Sequence, residues 1–152
     1  QSGQIYEIGY ALYIQLLNQA IELNKSGKIK IPSSYDIEIN KPCLIPEIYI
    51  DDIYMRLKYY RMISSCKDEN ELEELLFTLQ DIYGPVPEEF NNLVIISLMK
   101  QKLSDKNIQR LKIYNDSVTI QLNKESILQF SLESDDLRTN CDEIIKRVNN
   151  SN

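Results

Sequence analysis

The chain has 152 residues, 43% of them apolar and 26% charged, with a formal net charge of −6. This is the size and composition of one ordinary globular domain, able to bury roughly 70% of its unfolded surface. It disfavours the disordered and membrane classes, no apolar run approaching the roughly 18–20 residues of a spanning helix, and the acidic excess disfavours a nucleic-acid binder, whose affinity comes from cations on phosphates.

An acidic surface suits a basic protein partner, or simply solubility. The opening QSGQIYEIGY lacks the basic stretch and cleavage site of a secretory leader. It begins at Gln1 in mid-pattern, and so reads as a fragment of a longer chain. Cys43, Cys66 and Cys141 fit no zinc spacing and no closed disulfide set. They read as reduced, mostly buried thiols of a cytoplasmic protein.

Taken in chain order, Ile5, Ile8, Leu12, Leu16, Ala20 and Leu23 recur at helical spacing, which predicts a helix over 4–25 stopped at Gly27. Tyr35, Ile37 and Ile39 alternate with Asp36 and Glu38 as a half-buried strand does. Pro42 and Pro46 then force an extended path, so this stretch is expected to form an irregular arm on the body. Asp51 is placed to cap a second helix, with Ile53, Leu57, Tyr60 and Ile63 on its inner face and an end near Ser65–Lys67. Asp68 followed by Glu71 is a capping-box variant. It starts a third helix with an apolar stripe of Leu72, Leu75, Leu76, Leu79, Ile82 and Tyr83, ended by Gly84-Pro85. Pro87 suits the first turn of a fourth helix, with Phe90, Leu93, Val94, Ser97, Leu98 and Leu103 inward.

The period then changes. Leu111 and Ile113, then Val118, Ile120 and Leu122, then Leu128, Phe130 and Leu132 alternate with polar residues, separated by turns at Asn115-Asp116 and Asn123–Glu125. They predict a three-strand antiparallel meander. Ser134 and Asp135 cap a last helix with Leu137, Cys141, Ile144, Ile145 and Val148 inward. The expected class is α+β: about five helices, a small antiparallel sheet and a strand-like N-terminal arm.

Little in the chain carries chemistry. It has no His, which removes imidazole acid–base work, the usual triads and His-metal sites. Gly is scarce, at 4 residues, and no Gly-rich phosphate loop occurs. The carboxylate pairs are Asp51/Asp52, Glu73/Glu74, Glu88/Glu89 and Asp135/Asp136. Neighbours on a helix point about 100° apart, so no pair is a clamp by itself, and three pairs fall at predicted helix starts, where anions suit the dipole. A metal-dependent nuclease built on such pairs is the enzymatic alternative. Arg56, Lys58, Arg61 and Lys67, interleaved with Tyr54, Tyr59 and Tyr60, give the alternative of a small nucleic-acid-binding module. The plainer reading is a solvated helix side with aromatics in the core.

Two stretches resemble a known family. SGQIYEIGYALYIQLL is similar to the run just beyond the helicase motor of the bacterial transcription-repair coupling factors. The stretch from Ile45 to Glu88 resembles the pattern of their C-terminal domain, with Ile45, Pro46, Tyr49, Ile50, Asp52, Arg56, Leu57, Tyr60, Arg61, Asp81, Tyr83, Gly84 and Pro87 matching in order. The resemblance covers about residues 1–103. It implies a linker helix over 1–25 that follows an upstream motor, and a regulatory domain over 26–152. The parent would be an ATP-driven DNA translocase that displaces stalled RNA polymerase and recruits nucleotide-excision repair, with ATP and Mg held in its motor. The domain itself would be non-catalytic and cofactor-free, and would bind neither DNA nor membrane directly. Its implied partner is the N-terminal repair-recruitment domain of the same chain, and through it the A subunit of the Uvr complex and RNA polymerase. The implied interdomain contacts fall at Thr78, Asp81 and Ile82, where the family often has three charged residues and this chain keeps only Asp81. An anion there sits at an unfavourable helix C-terminus, a hint of a purpose other than solvation.

Overall fold

The computed structural model describes residues 36–151. The predicted helix over 4–25 and the first strand position, Tyr35, lie outside them. The elements run β1 (Asp36–Ile39), α1 (Ile53–Ser65), α2 (Glu69–Tyr83), α3 (Glu88–Lys102), β2 (Arg110–Tyr114), β3 (Ser117–Gln121), β4 (Ile127–Ser131) and α4 (Leu137–Asn150). The α+β class is borne out, with four helices and four strands among the described residues. The meander is also as expected. β2–β3 and β3–β4 are antiparallel, and Ile113 faces Val118 while Ile120 faces Leu128.

The sheet is larger and less uniform than predicted. β1 joins β2 in parallel, Ile37 beside Leu111 and Ile39 beside Ile113, so the order is β1-β2-β3-β4 and the sheet is mixed. The alternation of Ile37 and Ile39 announces a buried face but not its neighbour. That neighbour follows only after three helices, a long crossover of the kind parallel pairing requires. The closure is marked by a reciprocal amide pair: Asn40 Nδ2 donates to Asn115 Oδ1 at 2.8 Å, and Asn115 N donates to Asn40 Oδ1 at 3.1 Å. Asn115 opens the β2–β3 turn at a φ of 54°, a left-handed conformation that Asn tolerates better than most residues.

One face of the sheet (Leu111, Ile113, Val118, Ile120) is buried with the helices in a single core. α3 is its centre. Eight of its residues are buried, including Phe90, Asn92, Leu93, Val94, Ile95 and Ile96 on several sides. The single inward stripe expected for α3 is therefore too narrow, because elements cover it all round.

Capping differs by one residue in three places. Asp52, not Asp51, caps α1 by accepting from Tyr54 N at 2.9 Å. Asp136, not Asp135, caps α4, accepting from Thr139 N at 3.0 Å. Pro87 is itself the cap position of α3, just ahead of its first turn. Asp68 caps α2 as expected, accepting from Glu71 N, but the Glu71 carboxylate reaches past the cap to Lys67 N at 2.8 Å. Adjacent carboxylates leave the cap ambiguous in sequence, and the register is decided by packing.

The arm from Asn40 to Asp52 carries two prolines and makes little hydrogen bonding of its own. Its backbone is satisfied from outside: Leu44 N donates to Glu89 O at 3.1 Å, Asn92 Nδ2 donates to Pro42 O at 3.1 Å, and Ile45 N donates to the buried Tyr60 hydroxyl at 2.8 Å. Removing that hydroxyl leaves a buried N–H without an acceptor, which costs about 1–3 kcal/mol. Tyr60→Phe is expected to lose stability in that range by urea denaturation, whereas Tyr54→Phe, at an exposed position, should be neutral.

Candidate interaction surface

The stretch from Ile45 to Pro87 converges on one corner of the fold. Arg56, read in sequence as part of a solvated basic side, is instead 5% exposed. Its Nη1 donates to Ile50 O at 2.7 Å and Asp51 O at 2.9 Å, fastening the end of the arm to α1. Its buried Nε has no partner among the described residues. The inner face of α1 is thus Arg56, Tyr59, Tyr60 and Ile63, and Ile53, expected inward, is half exposed. With Tyr59 and Tyr60 in the core, the plainer reading of the tyrosines holds. Of the proposed basic-aromatic stripe, only Tyr54, Lys58, Arg61 and Lys67 remain outside.

Tyr49 ties the arm to the end of α2. Its hydroxyl donates to Gly84 O at 2.8 Å, and its ring lies 5.7 Å from Tyr83 and 5.8 Å from Phe90. Tyr59 meets Tyr83 edge-on at 6.1 Å. Burial raises the Tyr49 and Tyr59 hydroxyls above their ordinary pKa, as does the proximity of Tyr83. Gly84 has φ 91° and ψ −167°, a region essentially restricted to glycine. These matching residues build a scaffold at this corner.

What the scaffold holds outward is α2. Leu72, Leu75 and Leu79 are buried. The opposite face carries Glu73, Glu74, Phe77, Thr78 and Asp81, all exposed. Phe77 is 76% exposed and Ile82 57%, so Ile82 leaves the inner stripe where periodicity put it. Thr78 Oγ1 donates to Glu74 O at 3.0 Å within its own helix. Asp81 has no ion pair among the described residues. The structure therefore brings Thr78, Asp81 and Ile82 together at the exposed C-terminal end of α2. Phe77 was missed in sequence; the signal was an aromatic lying off an otherwise regular leucine stripe. Ile48, 96% exposed, stands next to Tyr49 in the turn fixed against the same helix end.

Elsewhere, a groove of about 190 Å³ lies over Ile95, Leu98, Met99 and Cys141, bridged by Arg138 Nη1 to Glu69 Oε1 at 3.1 Å. That is below the roughly 300 Å³ at which small-molecule sites begin. No group of three or more His, Cys, Asp and Glu among the described residues is placed to hold a metal ion. No described helix is long and apolar enough to cross a membrane.

Comparisons with known proteins agree on one relationship. The profile of the TRCF domain matches residues 39–131, so the meander, beyond the stretch that carried the resemblance, is part of the same unit. The transcription-repair-coupling factor of Escherichia coli is 35% identical over 74% of this chain and 10% of its own length. Those of Borreliella burgdorferi and Myxococcus xanthus are 36% and 30% identical, each over 84% of this chain and 11% of theirs. A crystal structure of the C-terminal domain of transcription-repair coupling factor superposes with a TM-score of 0.52 at 26% identity, covering 62% of this chain and 60% of that one. The chain thus spans about a tenth of the length of the curated relatives it matches.

The thiols supply a test of the core that carries this corner. Burial pushes Cys43 and Cys141 up from 9.0 to about 12. Unfolded thiols lose their protons near pH 9 while the folded ones keep theirs, so the stability they lend is full below pH 9 and declines as pH rises from there toward 12. The limiting slope is about 1.4 kcal/mol per pH unit for each thiol. Urea denaturation from pH 8 to 10.5 should show a shallower decline for C43A/C141A than for the parent chain; equal slopes would contradict the assignment.

Proposed function

The chain belongs to the TRCF-domain family, and from that premise we propose that it is a non-catalytic regulatory domain of a transcription-repair coupling factor. In this reading it lies downstream of a DNA-translocating motor in the longer polypeptide, and works in the cytoplasm. It docks on the N-terminal repair-recruitment domain of the same polypeptide. Docked, it covers the surface that receives the A subunit of the Uvr complex; engagement of stalled RNA polymerase releases it.

The observation that carries the proposal is the outer face of α2. A rigid base of buried tyrosines and leucines holds Phe77, Thr78, Asp81 and Ile82 in solvent at the end of one helix. Exposed aromatic and aliphatic side chains on a firm support favour contact, since a rigid anchor loses little freedom on docking. The mixture of two apolar side chains with a carboxylate suits a contact that must also open, as reversible interdomain surfaces are more polar than permanent ones. The family resemblance supports the same face.

Regulation of this kind is a coupling free energy, and the usual range of about 1–3 kcal/mol corresponds to about 5–150-fold in partner affinity. Titration calorimetry of the longer polypeptide with the Uvr A subunit should show affinity rising by a factor in that range when residues 36–151 are deleted, and by a smaller factor for D81K. Unchanged affinity after the deletion would end the proposal.

A further inference from the structure

We infer that α2 docks by seating Phe77 in an apolar pocket whose rim is basic. The inference rests on the docking reading above and assigns the anchor and the chemistry of its receptor. Helical spacing places Glu73 and Glu74 one turn before Phe77 and Asp81 one turn after it, on one exposed face. α2 holds five carboxylates, Glu69, Glu71, Glu73, Glu74 and Asp81, and no Lys or Arg. Glu69 is taken by Arg138 and Glu71 by the Lys67 amide. Glu73, Glu74 and Asp81 have no ion pair among the described residues, and these are the three that bracket Phe77. The other phenylalanines are accounted for: Phe90 is 0% exposed, and Phe130 lies under the Arg147 guanidinium at 4.7 Å. Phe77 alone is set out into solvent.

An aromatic ringed by uncompensated carboxylates is complementary to an apolar hollow edged with Lys and Arg, the usual pairing of a buried anchor with a charged rim. It is not complementary to itself. A second copy would set Glu73, Glu74 and Asp81 against the same three groups, and nucleic acid or an anionic bilayer would be repelled likewise. The occupant is therefore a protein surface, and the relatives, of whose length the matched stretch is only 10–11%, have ample further polypeptide to supply it.

The test uses the longer polypeptide with p-benzoylphenylalanine at position 77, 78, 81 or 58, irradiated and mapped by mass spectrometry. The expected product is a strong intramolecular cross-link from 77 to a segment where apolar residues are flanked by Lys or Arg, with little from 58. In parallel, F77A should free the partner surface at least about 10-fold by calorimetry with the thermal midpoint unchanged, and F77L should recover most of the loss. E73Q/E74Q/D81N should flatten the salt dependence of docking. Cross-links from 78 and 81 but not from 77 would overturn the anchor while leaving docking intact. Cross-links from 77 to a segment without basic residues would overturn the basic rim. No cross-link from any of 77, 78 and 81 would remove the docking reading together with this one.

Discussion

The structure depends on how a stretch of backbone with few hydrogen bonds of its own is held against the body. Between β1 and α1 the chain runs Asn40–Asp52 with prolines at 42 and 46. Buried peptide groups must find partners, and here side chains of the helices supply many of them. Tyr60 accepts from Ile45 N, Arg56 donates to the carbonyls of Ile50 and Asp51, and Asn92 donates to Pro42 O. Arg56 is the costly member. A guanidinium at 5% exposure with carbonyls as its hydrogen-bonded partners gives up hydration that only those bonds offset. The arm and α1 are therefore one unit, and because Tyr49 reaches Gly84 O and the Tyr83 ring, the end of α2 belongs to it too.

That coupling explains why the residues that carry the family likeness are nearly all structural. Ile45, Tyr49, Ile50, Arg56, Tyr60, Tyr83 and Gly84 are fastened to one another, while the exposed apolar side chains of α2, Phe77 and Ile82, stand on its far side. A domain that acts by contact needs a firm base and an exposed face. In the docking proposed above, the leucine side of α2 supplies the base and its acidic, aromatic side the contact.

Local patterns carried much of this in sequence. The strand alternation from Leu111 to Leu132, the helix stop at Gly84 and the Asp68 cap are written in neighbouring residues, and the structure has them where periodicity and turn chemistry put them. What was not legible depends on how the elements pack together. Ile37 and Ile39 showed a strand without its neighbour β2. Arg56 looked like a surface cation because periodicity does not show that the chain just before the helix, at Ile50 and Asp51, folds back so that its carbonyls meet the guanidinium. Ile53 and Ile82 satisfied the helical period yet face solvent, because the period fixes a face only to within a residue or so of its edge. The candidate contacts Thr78, Asp81 and Ile82 came from resemblance; Phe77, in the middle of the same face, came only from its exposure.

The central claim is that the outer face of α2 is covered by another part of the polypeptide in the resting protein. Amide hydrogen exchange, compared between the isolated chain and the longer polypeptide, addresses it most directly. The account predicts slower exchange over Glu73–Gly84 in the longer polypeptide, with the sheet from Arg110 to Ser131 unchanged. Identical exchange over α2 in both would contradict it.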